Sequence, residues 1–281
     1  MPSILSISLL ALCIIGSCSA WYQPAVGTSW QCALDPDIGS LDLPVEIYDI
    51  DLYTNSASVI DQLHQKGKQV ICYFSAGTYE PNRPDSAEIK ADKADVGKSL
   101  ADEGWPEENW LNIRSDRIVD IMKKRIDTAL AKGCDGVDPD NVDSYDNGGG
   151  GFTPPLTSQD SIAYLRNLTT YAHTATSSKH RRRNPRTTGL GIGLKNAGAI
   201  VKDTAGFLDW VVNEQCVQYD ECSTFQPFIG KGKPVFHIEY KKQSKNVTKD
   251  CFGPDTGGFS TIIKPDESDL PAAVTFCPAG P

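Results

Sequence analysis

A chain of 281 residues, 40% hydrophobic and 22% charged, can bury one large core and has too ordinary a composition for a disordered or low-complexity protein. Its formal net charge of −9 argues against nucleic-acid or anionic-membrane binding. What remains is a neutral or cationic partner, or simply solubility.

Ile4 to Gly16 form an apolar run that is too short to span a bilayer, and it ends in Cys18-Ser19-Ala20, small residues where a signal peptidase would cut. Residues 1–20 therefore read as a signal peptide rather than a retained anchor, although no Lys or Arg precedes the run. Trp21 then starts a secreted chain, which is expected to be monomeric and not membrane-bound.

A phrase recurs after that start: a helix, then Lys-Gly or a near variant, then a short apolar strand with a polar end. Leu63–Gly67 leads into Gln69–Ser75, Leu130–Gly133 into Asp135–Asp140, and Lys231–Pro234 into Val235–Tyr240. The glycine supplies a left-handed cap and the lysine complements the helix dipole. Eight strands are expected, around Gly27–Ala33, Val45–Leu52, Gln69–Ala76, Gly136–Asn141, Leu190–Asn196, Leu208–Glu214, Val235–Tyr240 and Phe259–Lys264. The clearest helices are Ser58–Lys66, Asp116–Lys132 and Ser158–Ala175. Strands alternating with helices predict parallel βαβ units, and eight of them predict a single (β/α)8 TIM barrel over 21–281. A doubly wound open sheet is the structural alternative, but Gly189-Leu190-Gly191-Ile192-Gly193 lacks the spacing of a phosphate loop. Two stretches break the repeat. Thr78–Leu111 is an extended loop after strand three, and Lys179–Arg186 is a basic segment that reads as a solvated loop.

Nine cysteines, less Cys13 and Cys18 of the leader, leave an odd number in a compartment that favours disulfides. Cys216 with Cys222, and Cys251 with Cys277, are the expected pairs. Cys72 and Cys134 lie in strand-like runs and read as buried small apolar residues. No CxxC occurs and histidines are few, so no metal is expected. Asp138, Asp140 and Asp143 lack the glycine of an EF-hand loop. Asn167 and Asn246 open glycosylation sequons.

Barrel enzymes act at the C-terminal ends of their strands. Those ends carry Asp49 and Asp51, then Asp138, Asp140 and Asn141, then Lys195 and Asn196, then Glu214, and finally His237, Glu239 and Tyr240. Converging carboxylates are costly unless used, and a pair of them is what glycoside hydrolysis requires. Salt bridges and helix caps are the structural alternative for any single member. Periodicity alone does not rank them. Trp30, Tyr73 and Tyr240 could stack on sugars or simply pack.

The runs VEIYDIDL, KQVICYFSAG, WLNIRSD, KGCDGVDPDNVDSY, GIGLKN, NEQCVQYDEC and KPVFHIEY, in this order over Trp30 to Lys264, closely resemble the endo-α-1,4-polygalactosaminidases of glycoside hydrolase family 114, which include spherulin-4-like proteins. The resemblance implies a barrel that cleaves α-1,4-linked galactosamine polymers internally, without metal or organic cofactor, on a polycationic substrate. Its acidic pair falls on Asp140 and Glu214. Binding roles extend to Asp49, Asp51, Tyr73, Asp138, Asn141, Lys195, Asn196, Glu239 and Tyr240. The chain departs from the family pattern at Ala197, where an aspartate is common, and at Asn82 before Arg83, where a tryptophan is common. A secreted glycan-binding or structural protein with the same barrel and no turnover is the alternative function, against which the retention of both acids argues.

Overall fold

A computed structural model describes residues 20–176, 188–241, 251–266 and 270–277. Eight parallel strands follow one another in chain order around a curled sheet: β1 (Trp30–Ala33), β2 (Ile47–Asp51), β3 (Gln69–Ser75), β7 (Gly136–Asp140), β8 (Gly191–Lys195), β9 (Trp210–Glu214), β10 (Val235–Tyr240) and β11 (Ser260–Lys264). All eight lie within the stretches that the sequence predicts. The numbering skips because Thr78–Leu111, expected as a loop, folds into a three-stranded antiparallel arm. Its strands are β4 (Thr78–Tyr79), β5 (Val96–Leu100) and β6 (Trp105–Leu111), with α2 (Ser86–Lys90) between the first two.

The longer helices are α1 (Ala57–Gln65), α3 (Asp116–Lys132) and α4 (Ser158–Thr174). Ser56 caps α1, and a full capping box of Thr157 and Asp160 starts α4. Gly133, at φ 102°, ends α3 in the left-handed turn that its place in the repeat predicts.

The seam between β11 and β1 is filled by the C-terminal segment. β12 (Thr275–Phe276) pairs antiparallel with β11, Leu34 N–H donates to Leu270 O at 3.0 Å, and Gln31 Nε2 donates to Ala272 O at 2.7 Å. Trp30 Nε1 also crosses the seam to Ser260 O at 2.7 Å. The eight-stranded ring is thus completed by side chains and a tail rather than by a direct β1–β11 ladder among the described residues.

Two apolar layers result. Outward side chains such as Tyr48, Ile50, Val70, Phe74 and Val137 pack under the helices, while Trp30, Ile47, Ile71, Trp210, Val212, Phe236, Ile238 and Ile262 fill the barrel. Trp210 explains the glycines of β7 and β8. A Cβ at Gly193 would lie 2.1 Å from the indole Nε1, and one at Gly136 would lie 2.4 Å from its Cη2. These glycines make room for the indole.

Cys216–Cys222 and Cys251–Cys277 are bonded as expected, the second tying the C-terminal segment to the residue after the 242–250 stretch. Cys72 and Cys134 are not two isolated thiols. They form a third disulfide, with Cα atoms 6.0 Å apart. Cys72 faces the helix layer from β3, and α3 returns the chain to Cys134 just ahead of the neighbouring strand β7. Cys32, buried inside the barrel, is the free thiol among the described residues. Asn167 is exposed on α4, with Thr169 of its sequon buried and bonded to Leu165 O. The expected signal peptide up to residue 19, most of the basic segment and Asn246 lie outside the described residues.

Candidate active site

β7, β8 and β9 each end on an inward side chain, Asp140, Lys195 and Glu214. Each is followed by a left-handed residue: Asn141 at φ 60°, Asn196 at φ 48° and Gln215 at φ 65°. Such backbone is uncommon outside glycine, and three adjacent strand ends adopting it mark a constrained site. The sharp turns lift the chain away and leave the last side chain of each strand facing the barrel mouth. Gly77 permits the same closeness on the β3 side, since a Cβ there would fall 1.6 Å from Asn141 O.

Lys195 joins the two acids. Its Nζ lies 3.1 Å from Asp140 Oδ2 and 2.8 Å from Glu214 Oε2. Tyr73 donates to Asp140 Oδ2 at 3.0 Å, and Asn141 N–H to Oδ1 at 2.7 Å. On the other side Asn196 Nδ2 donates to Glu214 Oε2 at 2.8 Å, and the Tyr240 hydroxyl donates to Oε1. Burial alone would raise the Glu214 carboxyl, but Lys195, Tyr240 and Asn196 outweigh it and hold the group below its ordinary value. Glu214 is therefore ionised in the resting site. Burial would equally lower the Lys195 ammonium, but Asp140, Glu214 and Asp138 hold it well above its usual value.

Asp49 and Asp138 lie one layer deeper, both essentially inaccessible. Apart from the facing carboxyl, no hydrogen-bond partner reaches either oxygen of Asp49 or Oδ1 of Asp138. Burial, partly opposed by Lys195, pushes Asp49 up to about 7, and burial together with Asp49 pushes Asp138 well above the carboxylate range. The two face each other closely enough to share a proton, which removes one of two charges that a dry interior cannot tolerate.

Two expected binding residues have other partners. Asp51 Oδ1 caps the Tyr53 and Thr54 amides at 2.8 Å, and its Oδ2 pairs with Arg83 at 2.7 Å. It anchors the arm. Asn141 Nδ2 donates to Ser75 Oγ at 3.0 Å and to Thr78 Oγ1 at 3.2 Å, bracing the end of β3.

Glu239 does not reach the mouth at all. Along β10 the inward residues are Phe236, Ile238 and Tyr240, so His237 and Glu239 face outward. There Glu239 Oε1 accepts Val217 N–H at 2.8 Å and contacts His237 Nε2 at 2.9 Å, fastening the loop that follows Glu214. Strand parity is the reason, because adjacent residues cannot both face the barrel.

Sequence reasoning missed the arm's contribution. Arg83 bridges Asp51 and Glu80, and Glu108 on β6 stands near Asp140. The charged residues of Thr78–Leu111 are visible in the sequence, but nothing in their spacing indicates that the segment folds back over the mouth. Among the described residues one side-chain group is compact enough for a metal, Cys216, Cys222 and His237, and both of its sulfurs are in a disulfide.

A profile of the glycoside-hydrolase family GH114 matches residues 15–280. The chain belongs to glycoside hydrolase family 114. Among solved structures, this family 114 chain is 43% identical to Ega3 of Aspergillus fumigatus, solved in complex with galactosamine. That match has a TM-score of 0.78 and covers 92% of this chain and 98% of Ega3. The glycoside hydrolase domain of PelA from Pseudomonas aeruginosa matches with a TM-score of 0.61 at 13% identity, over 90% and 99% of the two chains. An α-galactosidase from Thermus thermophilus, TtGalA, matches with a TM-score of 0.52 at 11% identity, over 78% of this chain and 53% of its own. The last two share the fold alone. No curated protein sequence matches the chain. The family 114 protein is thus a glycoside hydrolase of the TIM-barrel type.

Proposed function

We propose that this family 114 enzyme is secreted and cleaves α-1,4-linked galactosamine polymers internally, with Asp140 and Glu214 as its acid pair. The observation that carries the chemistry is the Lys195 bridge. Its ammonium touches both carboxylates, at 3.1 and 2.8 Å, so the bridged oxygens are at most about 6 Å apart. That spacing favours a two-step retaining route, in which one carboxyl protonates the glycosidic oxygen while the other attacks the anomeric carbon. Inverting enzymes leave roughly 6.5–9.5 Å between the carboxyl groups for a water. Tyr73, Asn196 and Tyr240 orient the pair, and neither step calls on a metal or cofactor.

The substrate rests on the 43% identity to Ega3 and its galactosamine complex, together with an acidic mouth suited to a cationic polymer. Three disulfides, and a 1–20 segment with the character of a leader, support secretion. The barrel domain then occupies 21–281 and works as a monomer.

Incubation with deacetylated α-1,4-galactosamine polymer should release new reducing ends in internal fragments. Asp140→Asn and Glu214→Gln should each lower the rate by roughly 10²–10⁴-fold. The first-formed product, followed by NMR, should retain the α anomer. Activity surviving both substitutions equally would falsify the site assignment, and cleavage of other glycans alone would sink only the substrate.

A further inference from the structure

The arm brings beside Asp140 a carboxylate that the acid pair does not use. Glu108 projects from β6 of the arm, and its Oε2 accepts the Thr78 hydroxyl at 2.7 Å. The Thr78 oxygen is tied in turn to Ser75 Oγ and accepts Asn141 Nδ2 at 3.2 Å. The tether therefore ends on the residue after Asp140, and Ser75 is itself paired in register with Asp140.

Around Glu108 stand Glu80 from the loop after β4, Asp140 and Tyr73 from the barrel, and Arg83 from the arm. Arg83 already holds Asp51 and Glu80, at 2.7 and 2.6 Å. Among the described residues, no lysine, arginine or histidine forms an ion pair with Glu108. A half-buried carboxylate set beside two others, with no counter-ion of its own, raises the energy of the free protein. Burial comes first among the causes and Glu80 and Asp140 add to it, against the Thr78 bond, so the group is pushed up to about 7. A cation supplied from outside would relieve that cost.

Resting on the amino-sugar substrate proposed above, we propose that Glu108 is a specificity-determining residue that receives a protonated substrate amine in a sugar subsite adjoining Asp140. Thr78 fixes one oxygen, leaving the other for the ammonium, and a charge-assisted bond there is worth more than a neutral one. An N-acetylated sugar offers no charge to offset the burial, so the arm selects free amines. The raised proton affinity gives a pH signature. Glu108 must lose its proton to pair with the ammonium, so binding weakens as pH falls below about 7.

The test measures kcat and KM from pH 5.5 to 7.5 on fully deacetylated and on partly N-acetylated galactosamine oligomers. In the wild type, KM for the deacetylated oligomer should rise about tenfold toward pH 5.5. Glu108→Gln keeps an oxygen for the Thr78 bond. It should raise KM about tenfold at pH 7.5, flatten that pH dependence, and leave kcat within a few-fold. Glu107→Gln removes the same charge from an exposed neighbour and should leave KM unchanged. Unchanged KM in Glu108→Gln, or an equal rise on both oligomers, overturns the assignment of Glu108 alone. Failure of the wild type to cut either oligomer overturns the proposed substrate, and this inference with it.

Discussion

Lys195 sets the charge state of everything around it. It is an ammonium at 5% side-chain exposure shared by two carboxylates, and its removal would leave two buried like charges facing each other. The sign for Glu214 is clear. Its carboxyl lies below the ordinary value because Lys195, Tyr240 and Asn196 overcome burial, so the acid limb of kcat/KM lies below the usual carboxylate range. In Lys195→Met burial should prevail, moving that limb to higher pH and costing about 100-fold in kcat. A limb that stays in place would show that Lys195 does not control Glu214. Lys195 and Asn196 stand in the sequence as a polar strand end, and that much was legible there. Their bonding to the acids was not, because it depends on how far β8 rises beside β7 and β9.

At the scale of elements, each catalytic strand is fastened from behind. Glu239 and His237 on the outer side of β10 hold the 215–222 loop, which also closes on itself through Cys216–Cys222. Glu239→Ala should lower kcat about tenfold through misplacement of Glu214, with KM little changed. Glu239→Gln, which can still accept the Val217 amide, should recover most of the activity. A kcat loss that follows a lowered thermal midpoint and is not recovered by Glu239→Gln would indicate general unfolding instead. The Cys72–Cys134 bridge ties β3 to the start of β7 across a separation of 62 residues. Replacing both cysteines by alanine should lower stability by about 2–4 kcal/mol, read as a fall in denaturation midpoint with little change in KM. That pairing was hidden in the sequence, where two cysteines inside apolar strands look like packing residues. So was the arm, whose strands pair only because β4 and β6 meet antiparallel over a distance that local patterning does not encode.

For the molecule as a whole, the buried acids tie stability to pH. Asp49 sits at about 7 and Asp143 at about 6, against 3.8 for an ordinary aspartate, and Glu108 at about 7 against 4.5. For each, burial is the leading cause. Because their folded values are raised, the folded state holds protons that the unfolded chain has released. Their stabilising contribution is complete below about pH 4 and is lost as pH rises to about 7. Glu214 has the opposite sign and takes its contribution away only at strongly acid pH. The thermal midpoint should therefore rise as pH is lowered from 8 to 5. Asp49→Asn should flatten that slope, and an unaltered slope in this variant would remove Asp49 from the account.

The sequence by itself determined the order of the eight strands, the helices between them and the polar strand ends, because strand and helix periods, caps and turn residues are local properties of the chain. It also brought Asp140 and Glu214 forward through motifs that stand in register with a known family. Only the tertiary structure decided which of Glu239 and Tyr240 faces the barrel, which cysteine remains free, and that the arm brings Glu108 beside Asp140. A shift of one residue in strand register exchanges the inside and outside of a barrel, and what fixes that register is the packing of all the strands together.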